Sequence, residues 1–171
     1  MKNFKNNKGI GLIPFILIFV GVLVIAGISV GGIIVNKKLN KEPLSAKAFQ
    51  EKMEYKDFET ENIINEFQDD DSIKKAYIAL EEDYEYKIEF YKLDEEEDAI
   101  SFYNLRRESA KDSEDKILLT KEKSMGNNSK YTLETKDKYK VVSRIENTVI
   151  YADVDLKYED EVKEILKEMG Y

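Results

Sequence analysis

Cysteine, histidine and tryptophan are all absent from the 171 residues. Without histidine there is no imidazole base, no catalytic triad and no histidine-ligated metal. Without cysteine there is no thiol nucleophile, disulfide, thiolate zinc site or lipid-modified cysteine. Beyond residue 36 glycine occurs only at Gly126 and Gly170, which removes phosphate-cradling glycine loops and dinucleotide folds. Acidic residues are missing before Glu42, and from Gly9 to Asn36 no charged residue interrupts 28 positions.

What is present divides the chain in two. Lys2, Lys5 and Lys8 lead into an apolar run of 26 residues, Ile10 to Val35. At 1.5 Å per residue a helix of that length crosses a hydrocarbon core of about 30 Å. Backbone groups in lipid must be satisfied internally, so the run is expected to be helical despite its β-branched residues. Pro14 suits the first turn, and Asn36-Lys37-Lys38 marks the return to water. The expected organisation is a cationic tail over 1–12, a transmembrane helix over 13–35, a linker over 36–43 and a soluble domain over 44–171.

Three readings of the apolar run differ in processing. Secretory signals have apolar cores of roughly 7–15 residues. This run continues past the small-residue pattern Ser29-Val30-Gly31, which argues against cleavage there. Lys8-Gly9-Ile10-Gly11-Leu12-Ile13 resembles the start of type IV prepilins and pseudopilins, and that resemblance implies processing between Gly9 and Ile10. The family's usual glutamate at the fifth mature position is replaced here by Pro14. A retained signal anchor is the favoured reading, with the minor-pilin-like subunit as the alternative.

Lysines flank the helix equally, Lys2, Lys5 and Lys8 on one side and Lys37, Lys38 and Lys41 on the other. The cationic start of the chain then decides the orientation, placing the N-terminus in the cytoplasm and the domain outside the cell membrane. Gly27 and Gly31 form a GxxxG spacing suited to pairing of two membrane helices.

Setting aside Lys2, Lys5 and Lys8, 24 basic residues face 35 acidic ones, a charge of −11. That balance repels phosphate backbones, so nucleic acid is not an expected partner, and it holds the domain off anionic lipid.

Ser45 is an expected N-cap for a helix to Met53, with Leu44, Ala48, Phe49 and Met53 on one side. Phe58, Ile63, Ile64 and Phe67 suggest a short helix before Asp69-Asp70-Asp71. The period then becomes two. Ala76–Leu80 and the alternating Tyr84, Tyr86, Ile88 and Phe90 form a hairpin around Glu81-Glu82-Asp83. Asp94 and Glu97 have capping-box spacing for a helix burying Ala99, Phe102, Tyr103 and Ala110. Residues 112–129 read as a connection with an exposed tip at Gly126–Ser129. Strands follow at 130–135, 139–145 and 148–154, and a final helix over 158–169 carries Val162, Ile165, Leu166 and Met169. The expected fold class is α+β: a transmembrane helix, then one domain with an antiparallel sheet of about five strands and helices packed on one face.

No motif assigns catalytic, cofactor-binding or metal-binding residues. Asp69-Asp70-Asp71 lacks the alternating ligands and glycine of a calcium loop. Glu95–Asp98 suits the positive end of a helix. The tyrosines fall mostly on strands, and Arg106-Arg107 is expected to make ion pairs within the chain. The N-terminal anchor, short linker and acidic domain ending VDLKYEDEVKEILKEMGY resemble small single-pass proteins of low-GC Gram-positive bacteria. That resemblance implies no activity, no enzyme and no cofactor. The expected function is interaction or sensing through a protein partner, at the membrane.

Overall fold

Cap chemistry starts the first helix where the sequence predicts it: Ser45 Oγ accepts the Ala48 amide at 3.1 Å and opens α1 (Ala46–Glu54). A computed structural model of the chain describes residues 39–113 and 116–171. The expected membrane helix over 13–35, its Gly27/Gly31 pair and the Gly9–Ile10 junction lie outside the described residues. Among the described residues no helix is long and apolar enough to cross a membrane. Leu39–Tyr171 form one compact unit, which therefore includes residues 39–43 of the expected linker.

The rest of the chain runs β1 (Glu59–Asn62), a 3-10 turn (Ile64–Phe67), β2 (Ile73–Leu80), β3 (Lys87–Leu93) and α2 (Glu96–Asp112). It continues with β4 (Leu119–Met125), β5 (Asn128–Glu134), β6 (Lys138–Ile145), β7 (Thr148–Asp155), a second 3-10 turn and α3 (Glu159–Glu168). The domain is α+β with a seven-stranded antiparallel sheet, ordered β1-β2-β3-β7-β6-β5-β4. Two meanders thus meet where β3 pairs with β7, Phe90 opposite Ile150.

Several expectations are corrected. The sheet has seven strands rather than five, because both edges were missed. Residues 57–75 give β1 and a 3-10 turn in place of a helix, and 119–125 of the expected connection are β4. The α2 cap sits one residue later than the Asp94/Glu97 spacing implied: Glu95 is the N-cap and its amide donates to Asp98 Oδ2 at 3.2 Å. Tyr84 is in the β2–β3 turn with φ 59° and not in the strand. Ser129 is a buried residue of β5 instead of an exposed loop residue.

The helices cover both faces of the sheet, not one. On one face α1 and α3 bury Phe49, Met53, Val162, Ile165 and Leu166 against Ile88, Phe90, Val141 and Ile150. Phe49 stacks on Phe90 with ring centroids 5.0 Å apart. On the other, α2 buries Ala99, Phe102, Tyr103 and Ala110 against Ala76, Tyr91, Leu133, Val142 and Val149. Strand side chains alternate between faces, so neighbours such as Val141 and Val142 end in different cores. Each fully buried large side chain contributes about 1.5–3 kcal/mol. After α3, Gly170 takes φ 92° and the Tyr171 amide returns to the Leu166 carbonyl at 2.8 Å, a left-handed stop.

Candidate functional site

The acidic runs flagged in the sequence serve turns and caps. Asp70 Oδ1 accepts both the amide and the hydroxyl of Ser72, at 3.0 and 2.6 Å. Asp69 and Asp71 are exposed beside it. Among the described residues no three acidic side chains are grouped to hold a metal ion. Glu96 pairs with Arg144 at 2.8 Å, and Glu81 Oε2 accepts the Asp83 amide at 3.0 Å within the β2–β3 turn.

Arg106 and Arg107 point to different partners, and only Arg107 makes the expected surface pairs, with Glu108 at 2.9 Å and Glu122 at 2.8 Å. Arg106 is enclosed. Its guanidinium lies 5.2 Å from the Tyr91 and Phe102 ring centroids and 5.3 Å from that of Tyr151. It donates to Tyr91 Oη at 2.5 Å and pairs with the buried Glu89 at 3.3 Å. Burial first, then the Glu89 charge, pushes the Tyr91 phenol far above its ordinary value. Three aromatic faces around a cation would suit a cationic ligand, but here the chain's own arginine fills them.

One end of the sheet is stitched to the beginning of the domain. The Asn127 carboxamide, in the β4–β5 turn, accepts the Lys41 amide at 2.9 Å and donates to the Lys41 carbonyl at 2.7 Å. Asn128 Nδ2 donates to the Leu39 carbonyl at 3.1 Å. The Glu146 amide of the β6–β7 turn donates to the Asn127 carbonyl at 2.8 Å, so the two turns are coupled. Lys41 Nζ also donates to the Gly170 carbonyl at 2.6 Å. Each bond joins residues at least 19 positions apart, and no local signal marked them.

Two of the concavities in the described surface lie on the face covered by α1 and α3. A groove of about 610 Å³ runs between α1 and α3 past Ala48, Tyr55, Ile165 and Met169. A smaller trough of about 260 Å³ lies over β4 and β5, lined by Lys121, Glu122, Lys123, Lys130, Thr132, Glu134 and Lys163. The trough is a local concentration of positive charge on a chain whose formal charge is −8. Comparison with known proteins finds no matching family model, no similar curated protein and no matching solved structure.

Proposed function

We propose that this protein is a membrane-tethered, extracytoplasmic domain that works by binding a partner rather than by catalysis. Residues 13–35 anchor it in the bilayer, and Gly27 and Gly31 allow two anchors to pair. The observation that supports a tether most directly is the uncharged apolar run of 26 residues, Ile10 to Val35, with lysines on both sides. Residues that follow the apolar run would be a slack leash if they were free. Leu39 and Lys41 are fixed, by side-chain bonds from Asn127 and Asn128 to their backbone atoms.

The test uses the absence of native cysteine. Glu82 is exposed in the β2–β3 turn, so Glu82→Cys creates a single accessible thiol. A membrane-impermeant maleimide should label this variant in intact cells. Labelling only after lysis would overturn the extracytoplasmic placement. The intact mass of the membrane-extracted chain then separates a retained anchor from processing between Gly9 and Ile10.

A further inference from the structure

Strand register sets the trough's chemistry. Lys123 stands directly opposite Lys130, and Lys121 opposite Thr132. Tyr131 and Leu133 point into the α2 core, so alternation turns Lys130, Thr132 and Glu134 to the opposite face with Lys121 and Lys123. There α3 adds Lys163, whose ammonium lies 5.2 Å from the Tyr139 ring centroid and bonds Glu159.

Lysines commonly guard an edge strand against pairing with another chain. That accounts for Lys121 and Lys123 on β4. It does not account for Lys130, one strand further in and half-buried, nor for Lys163 arriving from a helix. Like charges directly opposite each other destabilise a sheet, so Lys123 facing Lys130 works against folding. Among the described residues, Lys121, Lys123 and Lys130 make no ion pair with a carboxylate. Burial first, and then the charges of Lys41 and Lys163, hold the Lys130 ammonium below its ordinary value. An anion seated between these groups would relieve both effects.

The donor set selects the kind of anion. An arginine fork suits carboxylate and phosphate alike, whereas lysine acts as a point charge, so several lysines around one trough suit a compact, multiply charged anion such as phosphate. The trough contains lysine and no arginine. Two strand residues advance about 6.6 Å, so Thr132 lies one such step beyond Lys130 and Glu134 two. The Glu122 carboxylate is engaged by Arg107, leaving Glu134 as the acid that faces a bound ligand. We propose that this trough binds a phosphate ester of a small hydroxylated alcohol. Lys123 and Lys130 hold the phosphate, with Lys163 at the margin on its Glu159 partner, while Thr132 and Glu134 take the hydroxyl groups. The chemistry is shared by a phospholipid headgroup and a free ester, and the cavity stands whether or not the chain is tethered.

Lysine footprinting tests this on the full chain in nanodiscs. Amine acetylation is followed by mass spectrometry in phosphatidylcholine alone, with added glycerol 3-phosphate, with phosphatidylglycerol in the bilayer, and with acetate at matched ionic strength. Lys123 and Lys130 should be modified several-fold more slowly with glycerol 3-phosphate or phosphatidylglycerol, with exposed Lys47 and Lys75 unchanged. Protection by the soluble ester alone assigns a free ligand, and protection by the lipid alone assigns a headgroup. Equal protection by acetate, or none in any arm, overturns the proposal. The glycerol 3-phosphate and acetate arms are repeated on the full chain in detergent, so failure of the chain to enter nanodiscs bears on the tether only.

Discussion

Asn127 holds Lys41 by both of its backbone polar groups, across 86 residues of sequence. The carboxamide acts as a short piece of pairing strand, offering one acceptor and one donor to a segment with no strand partner. Asn127→Ala removes both bonds and the one to Glu146 Oε1 at 3.0 Å. It is expected to destabilise the domain by about 1–3 kcal/mol. Amide exchange at Lys41 should accelerate by more than the lost global stability accounts for, while exchange in β6 and β7 accelerates only in step with that loss. Unchanged protection at Lys41 would mean that the clasp does not hold the segment.

Two glycines separate backbone strain from steric contact. Gly126 has φ 57°, and a Cβ there would meet Asn40 Oδ1 at 2.4 Å and the Leu39 carbonyl at 3.0 Å. Gly170 has φ 92° with nothing within 4 Å of a Cβ. Gly170→Ala should therefore pay only the left-handed penalty, about 1–2 kcal/mol. Gly126→Ala should exceed it and also expose the Lys41 amide. Equal urea-denaturation losses, with Lys41 still protected, would refute the distinction.

Arg106 neutralises Glu89 between sheet and helix. Arg106→Ala leaves a carboxylate only 9% exposed with Lys87 as its remaining ion-pair partner, at 3.0 Å. The expected loss is about 2–3 kcal/mol, below that of a fully buried pair because the Arg106 side chain keeps 26% exposure. Arg106→Lys should recover less than half, since an ammonium loses the planar fork and the stacking on three rings. Thermal denaturation of the two variants decides it.

Alkaline pH should unfold the domain through its tyrosines. Tyr171 is bonded to Thr148 Oγ1 in the core, and burial pushes its phenol up to about 12 from 10.0. The folded state favours the neutral form, so this contribution is whole below pH 10 and is lost as pH rises toward 12. Burial likewise raises Tyr139, whose hydroxyl has no hydrogen-bond partner among the described residues. Urea midpoints should fall steeply from pH 10 to 12, and less steeply in Tyr171→Phe. Parallel pH curves would exclude Tyr171 as a contributor.

The β4 edge begins with exposed apolar residues: Ile117, Leu118 and Leu119 at 41%, 59% and 39% exposure. Leu118→Lys should change stability by no more than about 0.5 kcal/mol. It should also reduce self-association at high concentration in sedimentation velocity, because charge blocks edge pairing. Increased association would reverse that assignment.

Elements with a buried face were legible in the sequence. The Ser45 cap, the Val162–Leu166 stripe and the alternation through Ile88 and Phe90 each reflect burial against a neighbour. The edges were not, because ETEN in β1 and LTKEKSM in β4 bury almost nothing and so carry no apolar period. Coverage of both faces did leave a trace in the adjacent pairs Val141-Val142 and Val149-Ile150. The interleaved Glu89, Lys140 and Arg144 disguised it by looking like a solvated face. All three are buried with partners; Lys140, for example, pairs with Asp153 at 3.0 Å.

By itself, then, the sequence determined the division into an apolar N-terminal run and an acidic α+β domain, the helices α1, α2 and α3, and the β2–β3, β5–β6 and β6–β7 hairpins. Each of these rests on composition or on a period within about 20 residues. Tertiary structure alone decided the clasp of Asn127 on Lys41, the filling of an aromatic cage by Arg106, and the gathering of Lys121, Lys123, Lys130 and Lys163 on an acidic protein. Net charge averages over the whole chain, and local periodicity ends at the next turn. Contacts between residues 86 apart depend on strand order, which only the closing of the sheet between β3 and β7 sets.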